Sequence, residues 1–305
     1  MDVRQLAILR ELGDRGSVTA VAEALFVTPS AVSQQLAALQ RNLPVALTQR
    51  RGRTLVLTEA GEALAAAAVD VATAVARAEG AVDAFLVDPR APVRVAAFSS
   101  AAAAFFPALL RAAADGGPPV VCAEHDVAQS RFPALCADHD VVLAHRLDHS
   151  PPWPATVSVT PLLREPLDVA VPADHPLARQ RAVTADQVSQ EPWIGVHEGF
   201  PLLAPLEAIA AVGGRPMTVV HRVNDLTVAA SLVAAGGGVA LMPRHTAPAH
   251  AGVVLRPLSD LILARHVDAL VRPEGALRRT VTTVLEALTR AARQLSDVRQ
   301  PGVGC

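Results

Sequence analysis

The sequence predicts a multidomain α/β protein: an N-terminal winged helix-turn-helix over residues 1–57, a long linker helix over 58–88, and an α/β region over 89–300. Three observations carry this. Short amphipathic segments lead into two β-like stretches around "RRGR". An uninterrupted heptad spacing of apolar residues follows. From Pro89 onward, strand-like and helix-like segments alternate between Pro and Gly punctuation, the pattern of an α/β fold. With 305 residues, 51% of them hydrophobic and 18% charged, the chain has material for two or three packed cores.

The first region begins with an amphipathic helix from Asp2 to Gly13, with Leu6, Leu9 and Leu12 turned inward. Gly16 and Ser17 break the chain before a second helix that runs to about Leu25. Thr28 places a hydroxyl to cap a third helix, and Pro29 occupies the first helical position, where a missing N–H costs nothing. Val32, Leu36 and Leu39 form the apolar stripe of that helix, and Ala22 is small enough to permit a close crossing of the second helix. The segment "VALTQRRGRTLVLT" then reads as a ribbon with Arg50, Arg51 and Arg53 near its tip.

Charge distinguishes this region from the rest. The whole chain has a net charge of −2, so composition alone makes no case for a polyanionic partner. Between Leu25 and Thr58, however, there are Arg41, Arg50, Arg51 and Arg53 and no acid. The polar face of the third helix carries Ser30, Ser33, Gln34 and Gln35 and likewise no carboxylate. A surface that avoids acids beside a basic ribbon suits phosphate. All 27 basic residues are arginine; the bland explanation is a GC-rich coding sequence, though arginine also forks onto phosphate and guanine better than lysine does.

In the second region Leu64, Ala68, Val71, Val75, Ala78, Val82 and Phe85 are spaced 4, 3, 4, 3, 4, 3, a heptad seam. Thr58 can cap this helix, Glu59 and Glu62 favour its N-terminal dipole, and Pro89 ends it. The seam is expected to pair with its copy in a second chain; the alternative is packing against the C-terminal region of the same chain.

These motifs together resemble the N-terminal signature of LysR-type transcriptional regulators: "GSVTAVAEALFVTPSAVSQQLAALQ", then "R…TLVLTEAGEAL". "PLLREPLDVAVPADHPLA" and "LVAAGGGVALMPR" resemble recurrent stretches of that family's effector module. Pro44 and Thr48 stand where the family usually has glycine and phenylalanine, and "HEGFPLLAPLE" lacks the Ser and Arg that many members carry after that glycine. The resemblance implies a C-terminal two-lobed, periplasmic-binding-protein-like effector domain. It also implies a homodimer or homotetramer on an inverted-repeat promoter site in double-stranded DNA, with RNA polymerase as a candidate partner.

On DNA, Thr28, Pro29, Ser30, Ser33 and Gln34 are the expected readers of the major groove, Gln34 as a two-pronged partner for adenine. Arg50, Arg51 and Arg53 are the expected wing contacts to phosphate or a narrow minor groove.

In the effector region, "VRVAAF" runs into "SSAAAAFFPALLRAA", so Ser99 and Ser100 lie where a strand ends and a helix begins, a place that favours an anion. Other strand ends nominate Glu124, His125, His145, Arg146, and the segments at 196–200 and 224–227. From these, Ser99, Ser100, His197, Glu198, Gly199, Phe200, Asn224 and Thr227 are the expected effector site. The serines with Asn224 and Thr227 suit a carboxylate; Glu198 and Asp225 suit an amine; an amino acid would use both. Glu198 and Asp225 also read as ordinary helix-start acids, and Phe98, Phe105 and Phe200 as core. The strand at 264–271 and the last helix are expected to return to the first lobe, giving lobe I about 91–161 plus 266–300 and lobe II about 162–265.

Other classes fit less well. A solute-binding protein would share the two lobes but needs a signal sequence, and "MDVRQLAILRELGDRG" has charges where the apolar core of one would be. No run approaches a membrane span, so no membrane partner and a cytoplasmic location are expected. No G-x-S-x-G, P-loop or other catalytic motif stands out, so the chain reads as a non-enzyme without cofactor. His139, His145 and His149 lack the fixed spacing of a metal site. Cys122, Cys136 and Cys305 lack a disulfide or CxxC pattern; a redox-responsive regulator using Cys122 and Cys136 remains the alternative to a ligand-responsive one.

Overall fold

The computed structural model describes residues 1–41, 43–52, 54–83, 92–198 and 200–298. Expectations placed on Arg53, Phe85 and Gly199 therefore lie outside the described residues, as does the expected end of the linker helix at Pro89; of Val82 only the backbone is described.

The N-terminal module forms from local signals. Helix α1 (Val3–Arg15) is capped by Asp2, whose side chain accepts the Arg4 amide while Gln5 reaches back in a capping box. Gly16 ends it at φ 69°, a left-handed conformation that glycine adopts without strain. Ser17 caps α2 (Val18–Ala24), and Thr28 caps α3 (Pro29–Gln40) by accepting the Ala31 amide at 3.2 Å. Leu9, Leu12, Val21, Ala22, Val32 and Leu39 are essentially inaccessible and make one small core. Strands β1 (Thr48–Arg51) and β2 (Thr54–Leu57) form the antiparallel ribbon, and Gln40 ties it to α3 through its bonds to Val45 and Leu47.

The turn between α2 and α3 carries a strained residue. Phe26 has φ 52° and is 96% exposed. A non-glycine residue in this region costs about 1–2 kcal/mol, and asparagine tolerates it better. Phe26→Asn is expected to raise stability by about 1 kcal/mol in chemical denaturation; an unchanged midpoint would place the strain elsewhere.

Helix α4 (Glu59–Asp83) starts where Thr58 accepts the Gly61 amide at 3.1 Å and donates to the Ala46 carbonyl at 2.6 Å. A Cβ on Gly61 would sit 2.0 Å from the Leu47 carbonyl oxygen, so only glycine lets the helix leave the ribbon here. The helix then lies along α1 of its own chain. Ala65, Ala68 and Val69 are buried, and Val71 faces Val3, Leu6 and Ala7. The seam expected to meet a second chain is thus divided. Its early part, Ala68 with half-buried Leu64 and Val71, is covered within the chain, while Val75 and Ala78 are exposed. A 4-3 pattern reports an apolar stripe but not which surface covers it.

The rest of the described chain builds one curled sheet with helices around it. In order it comprises β3 (Val93–Ala97), α5 (Ser99–Ala114), β4 (Val120–Glu124), α6 (Phe132–Leu135), β5 (Val141–Leu147), β6 (Ser158–Pro172), α7 (Ala185–Ser189), β7 (Pro192–Gly195), α8 (Leu203–Val212), β8 (Thr218–Arg222), α9 (Leu226–Ala234), β9 (Val239–Pro243), β10 (Val253–Arg256), β11 (Ala264–Val271) and α10 (Arg279–Val298). The strand order is β4-β3-β5-β11-β6-β9-β7-β8, with β10 also on β6. Three hydrophobic cores sit on it. The first lies under α5 and α10 around Phe105, Phe132 and Leu288, the second surrounds Trp193 and Ile209, and a third lies under α9 around Val233 and Met242.

The long strand β6 joins them. Up to Pro166 it pairs with β11; from Leu167 it pairs with β9. The expected lobe boundary at 161–162 falls inside this strand, and Leu163 packs in the first core. Alternation within a strand carries no mark of where its neighbour changes.

The N-terminal module also docks on the first lobe through ion pairs. Arg10, 5% exposed, reaches Glu274 at 2.8 Å. Arg272 reaches Glu11 at 2.7 Å and Asp14 at 2.5 Å, and Arg15 reaches Asp138 at 2.9 Å and the Ala137 carbonyl at 3.2 Å.

Candidate nucleic-acid interface and effector cleft

Helix α3 turns its apolar stripe into the module and leaves one polar face outside. Thr28, Pro29, Ser30, Ser33 and Gln34 are all exposed. The Thr28 and Ser30 hydroxyls are 2.9 Å apart, and the Ser33 hydroxyl donates to the Pro29 carbonyl at 2.9 Å. Ser33 therefore presents its lone pairs outward. Gln34 makes no side-chain hydrogen bond among the described residues, so both its amide donor and its acceptor are open. Arg50 and Arg51 are exposed on the ribbon, and Arg41 is exposed at the end of α3. The face combines hydrogen-bonding groups, cations and no described acid, the combination suited to base edges flanked by phosphate.

The second site is a cleft enclosing about 700 Å³, open solvent at its mouth included. It lies where these cores meet. Of the residues expected there, Ser99, Ser100, Phe200, Asn224 and Thr227 line it. His197 does not, but its backbone N–H donates to the Asn224 carboxamide oxygen at 3.0 Å and so fixes the Asn224 side chain. Glu198 is exposed and outside the lining, a correction to its expected role. Asp225 is the helix-start acid it resembled, since Oδ1 accepts the Thr227 and Val228 amides at 2.6 and 3.1 Å; it also lines the cleft. Phe98, assigned to the core, is buried and forms part of the cleft wall as well.

The floor of the cleft was only partly foreseen. Arg265, 3% exposed, donates to Glu165 at 3.0 Å, to the Ser100 hydroxyl at 2.9 Å and to the Thr246 hydroxyl at 2.6 Å. Glu165, fully buried, also accepts the His245 and Thr246 amides at 2.7 and 2.6 Å. The Arg265 guanidinium lies 5.1 Å from the centre of the Phe98 ring. The signal in the sequence was the charge of Arg265 in the strand "ARHVDALV", where it shares the strand with His266 and Asp268; its partner is 100 residues away and invisible to spacing.

Several side chains are tuned by this burial. His145 is 5% exposed and packs edge-on against Phe98 and Phe132, with ring centres 4.6 and 5.4 Å apart. Burial, with the Arg265 charge adding to it, pushes its pKa down to about 3, so the ring is neutral. Burial also lifts the Asp126 carboxyl above its ordinary value, with the charges of Glu124 and Asp225 adding to it. The thiols are raised too: burial pushes Cys136 up to about 12 and raises Cys122. Burial thus favours the protonated form of both. Among the described residues no three His, Cys, Asp or Glu side chains are grouped to hold a metal, and no helix is long and apolar enough to cross a membrane.

Two family models match. The bacterial regulatory helix-turn-helix protein, lysR family, covers residues 3–62, and the LysR substrate binding domain covers residues 88–293. The chain is 28% identical to the transcriptional dual regulator GltC of Bacillus subtilis over 247 residues, 81% of this chain and 82% of that one. It is 26% identical to a probable nitrogen assimilation transcriptional activator of Synechococcus elongatus over 91% of this chain and 90% of the relative. In fold it is similar to a full-length OxyR variant from Pseudomonas aeruginosa, with TM-score 0.66 and 21% identity over 95% of this chain and 98% of that one. It is also similar to full-length CbnR solved in complex with its target DNA, with TM-score 0.52 and 18% identity over 96% of this chain and all of the other.

Proposed function

Since the chain belongs to the LysR family of transcriptional regulators, we propose that it binds an inverted-repeat promoter site in the cytoplasm as a homodimer or homotetramer. A small effector, an amino acid or carboxylate, enters the cleft between the lobes and sets its activity, and RNA polymerase is the further partner. The observation that carries this reading is the outer face of α3: an exposed, acid-free row of Thr28, Ser30, Ser33 and Gln34 beside the exposed arginines of the ribbon. In this reading Thr28, Pro29, Ser30, Ser33 and Gln34 meet base edges, while Arg50, Arg51 and Arg53 meet the backbone. Of the seam residues described, Val75 and Ala78 are exposed and so open to a second chain, and in this reading Val82 and Phe85 extend the same seam.

The test is binding to its own upstream DNA and to a scrambled duplex across a salt titration. Gln34→Ala is expected to remove about 1–3 kcal/mol of discrimination while leaving non-specific binding near wild type. Arg51→Ala is expected to weaken both duplexes alike and lower the salt slope by about 1. Equal losses on both duplexes for Gln34→Ala would rule out base reading by that side chain.

A further inference from the structure

We propose that the cleft selects its effector by an ammonium group, held between the carboxylates of Asp126 and Asp225, and rejects small anions that lack one. This rests on the reading of the cleft as an effector site and narrows its effector from an amino acid or carboxylate to an ammonium-bearing compound.

The charges decide the sign. Among the described lining residues the one permanent cation is Arg265. Its guanidinium is committed to Glu165, Ser100 and Thr246 and covered by Phe98. The buried pair with Glu165 is neutral as seen by a ligand. The carboxylates lining the cleft are Asp126 and Asp225, neither of them paired with a cation among the described residues, with Glu124 beside them, its carboxylate accepting the Ser99 hydroxyl. Burial raises the Asp126 carboxyl, and repulsion from the charges of Glu124 and Asp225 adds to it. An ammonium relieves that repulsion; a carboxylate adds to it.

The second observation is His145. Its ring is on the cleft wall, its Nδ1 is sealed from solvent, and that nitrogen has no hydrogen-bond partner. Held neutral, the ring cannot serve as the cation an anionic ligand would need. A neutral imidazole keeps one acceptor nitrogen, and the wall around it supplies no donor to meet it.

The helix ends divide the rest of the ligand. The N-terminus of α9 is already capped by the Asp225 carboxylate. That of α5 has no side-chain cap, and Ser99 and Ser100 flank it. A hydroxyl or carboxylate on the same ligand would turn there. An α-amino acid satisfies both ends, and a plain amine satisfies the first.

The experiment is a thermal-shift screen of the full-length protein with three panels on matched carbon skeletons, each at about 10 mM: primary amines, carboxylates without nitrogen, and α-amino acids. Stabilisation is expected only from ammonium-bearing compounds. For the best of them, Asp126→Asn and Asp225→Asn should each weaken binding about ten- to a hundredfold, as loss of a charge-assisted bond does. Asparagine keeps the α9 cap, so the second variant tests the charge rather than the fold. Stabilisation by simple carboxylates, unchanged affinity in both variants, or no response to any amine each overturns the proposal. In all three cases binding to upstream DNA is unaffected and the regulator reading stands; failure of wild-type protein to bind that DNA removes the regulator reading instead.

Discussion

Arg265→Ala is expected to cost about 3–5 kcal/mol of folding stability, the loss that follows when one partner of a buried ion pair is removed. The side chain is 3% exposed and Glu165 is fully buried. Its removal leaves the Glu165 carboxylate without a cation and the Ser100 hydroxyl without its donor. Glu165 would still accept the His245 and Thr246 amides and the Thr246 hydroxyl, which hold the segment after β9, but three neutral donors do not offset a buried charge. Arg265→Met with Glu165→Gln should recover most of the loss, because the pair then leaves together and the glutamine oxygen still accepts those amides. Denaturation followed by tryptophan fluorescence reads the outcome: Trp153 packs against the first core, and Trp193 is buried in the second. A single variant within about 1 kcal/mol of wild type would mean that water reaches this pair.

Arg272→Ala is expected to loosen the N-terminal module from the first lobe. Arg272 bridges Glu11 and Asp14 on α1, and all three side chains are mostly buried at the contact. Without it Glu11 keeps Arg15, at 2.6 Å, whereas Asp14 keeps no cation at hydrogen-bond distance among the described residues. The expected loss of docking stability is about 2–3 kcal/mol, below the fully buried case because the site is partly wet. Hydrogen exchange along α1 and proteolysis within α4 should both speed up while the effector cores stay protected. The loss should depend on pH. Burial already raises the Asp14 carboxyl above its ordinary value in spite of Arg272. Taking the arginine away raises it further. A raised carboxyl favours the folded state more as pH falls, so the defect should be smaller near pH 5 and larger near pH 8. A defect that grows on acidification would refute this account of the contact.

Much of this architecture was legible because it is local. Thr28 and Thr58 announce two helix starts through their own side chains, and both cap as the chemistry of those residues requires; Asp2 and Ser17, placed at helix boundaries, cap as well. The acid-free outer face of α3 was readable because helical spacing alone separates Val32, Leu36 and Leu39 from Ser30, Ser33 and Gln34. Ser99, Ser100, Asn224 and Thr227 were found at strand ends, where an open sheet collects its ligands. Glu198 sits in a segment with the same signature and stays outside the cleft, because position at a strand end does not fix where a side chain goes. Asp126, Thr246 and Arg265 gave no local sign of belonging together.

The sequence by itself therefore determined the helix starts, the acid-free polar face of α3 and the family, since capping, periodicity and charge act between residues a few positions apart. Only the tertiary structure decided what each stripe and charge would meet. The early part of the α4 seam went to α1 of the same chain rather than to a second chain. Strand β6 changed partner from β11 to β9 between Pro166 and Leu167, and one buried arginine found a glutamate 100 residues away. Those outcomes depend on which surfaces are left uncovered once the chain has packed. That is a property of the whole volume, which no spacing along the chain records.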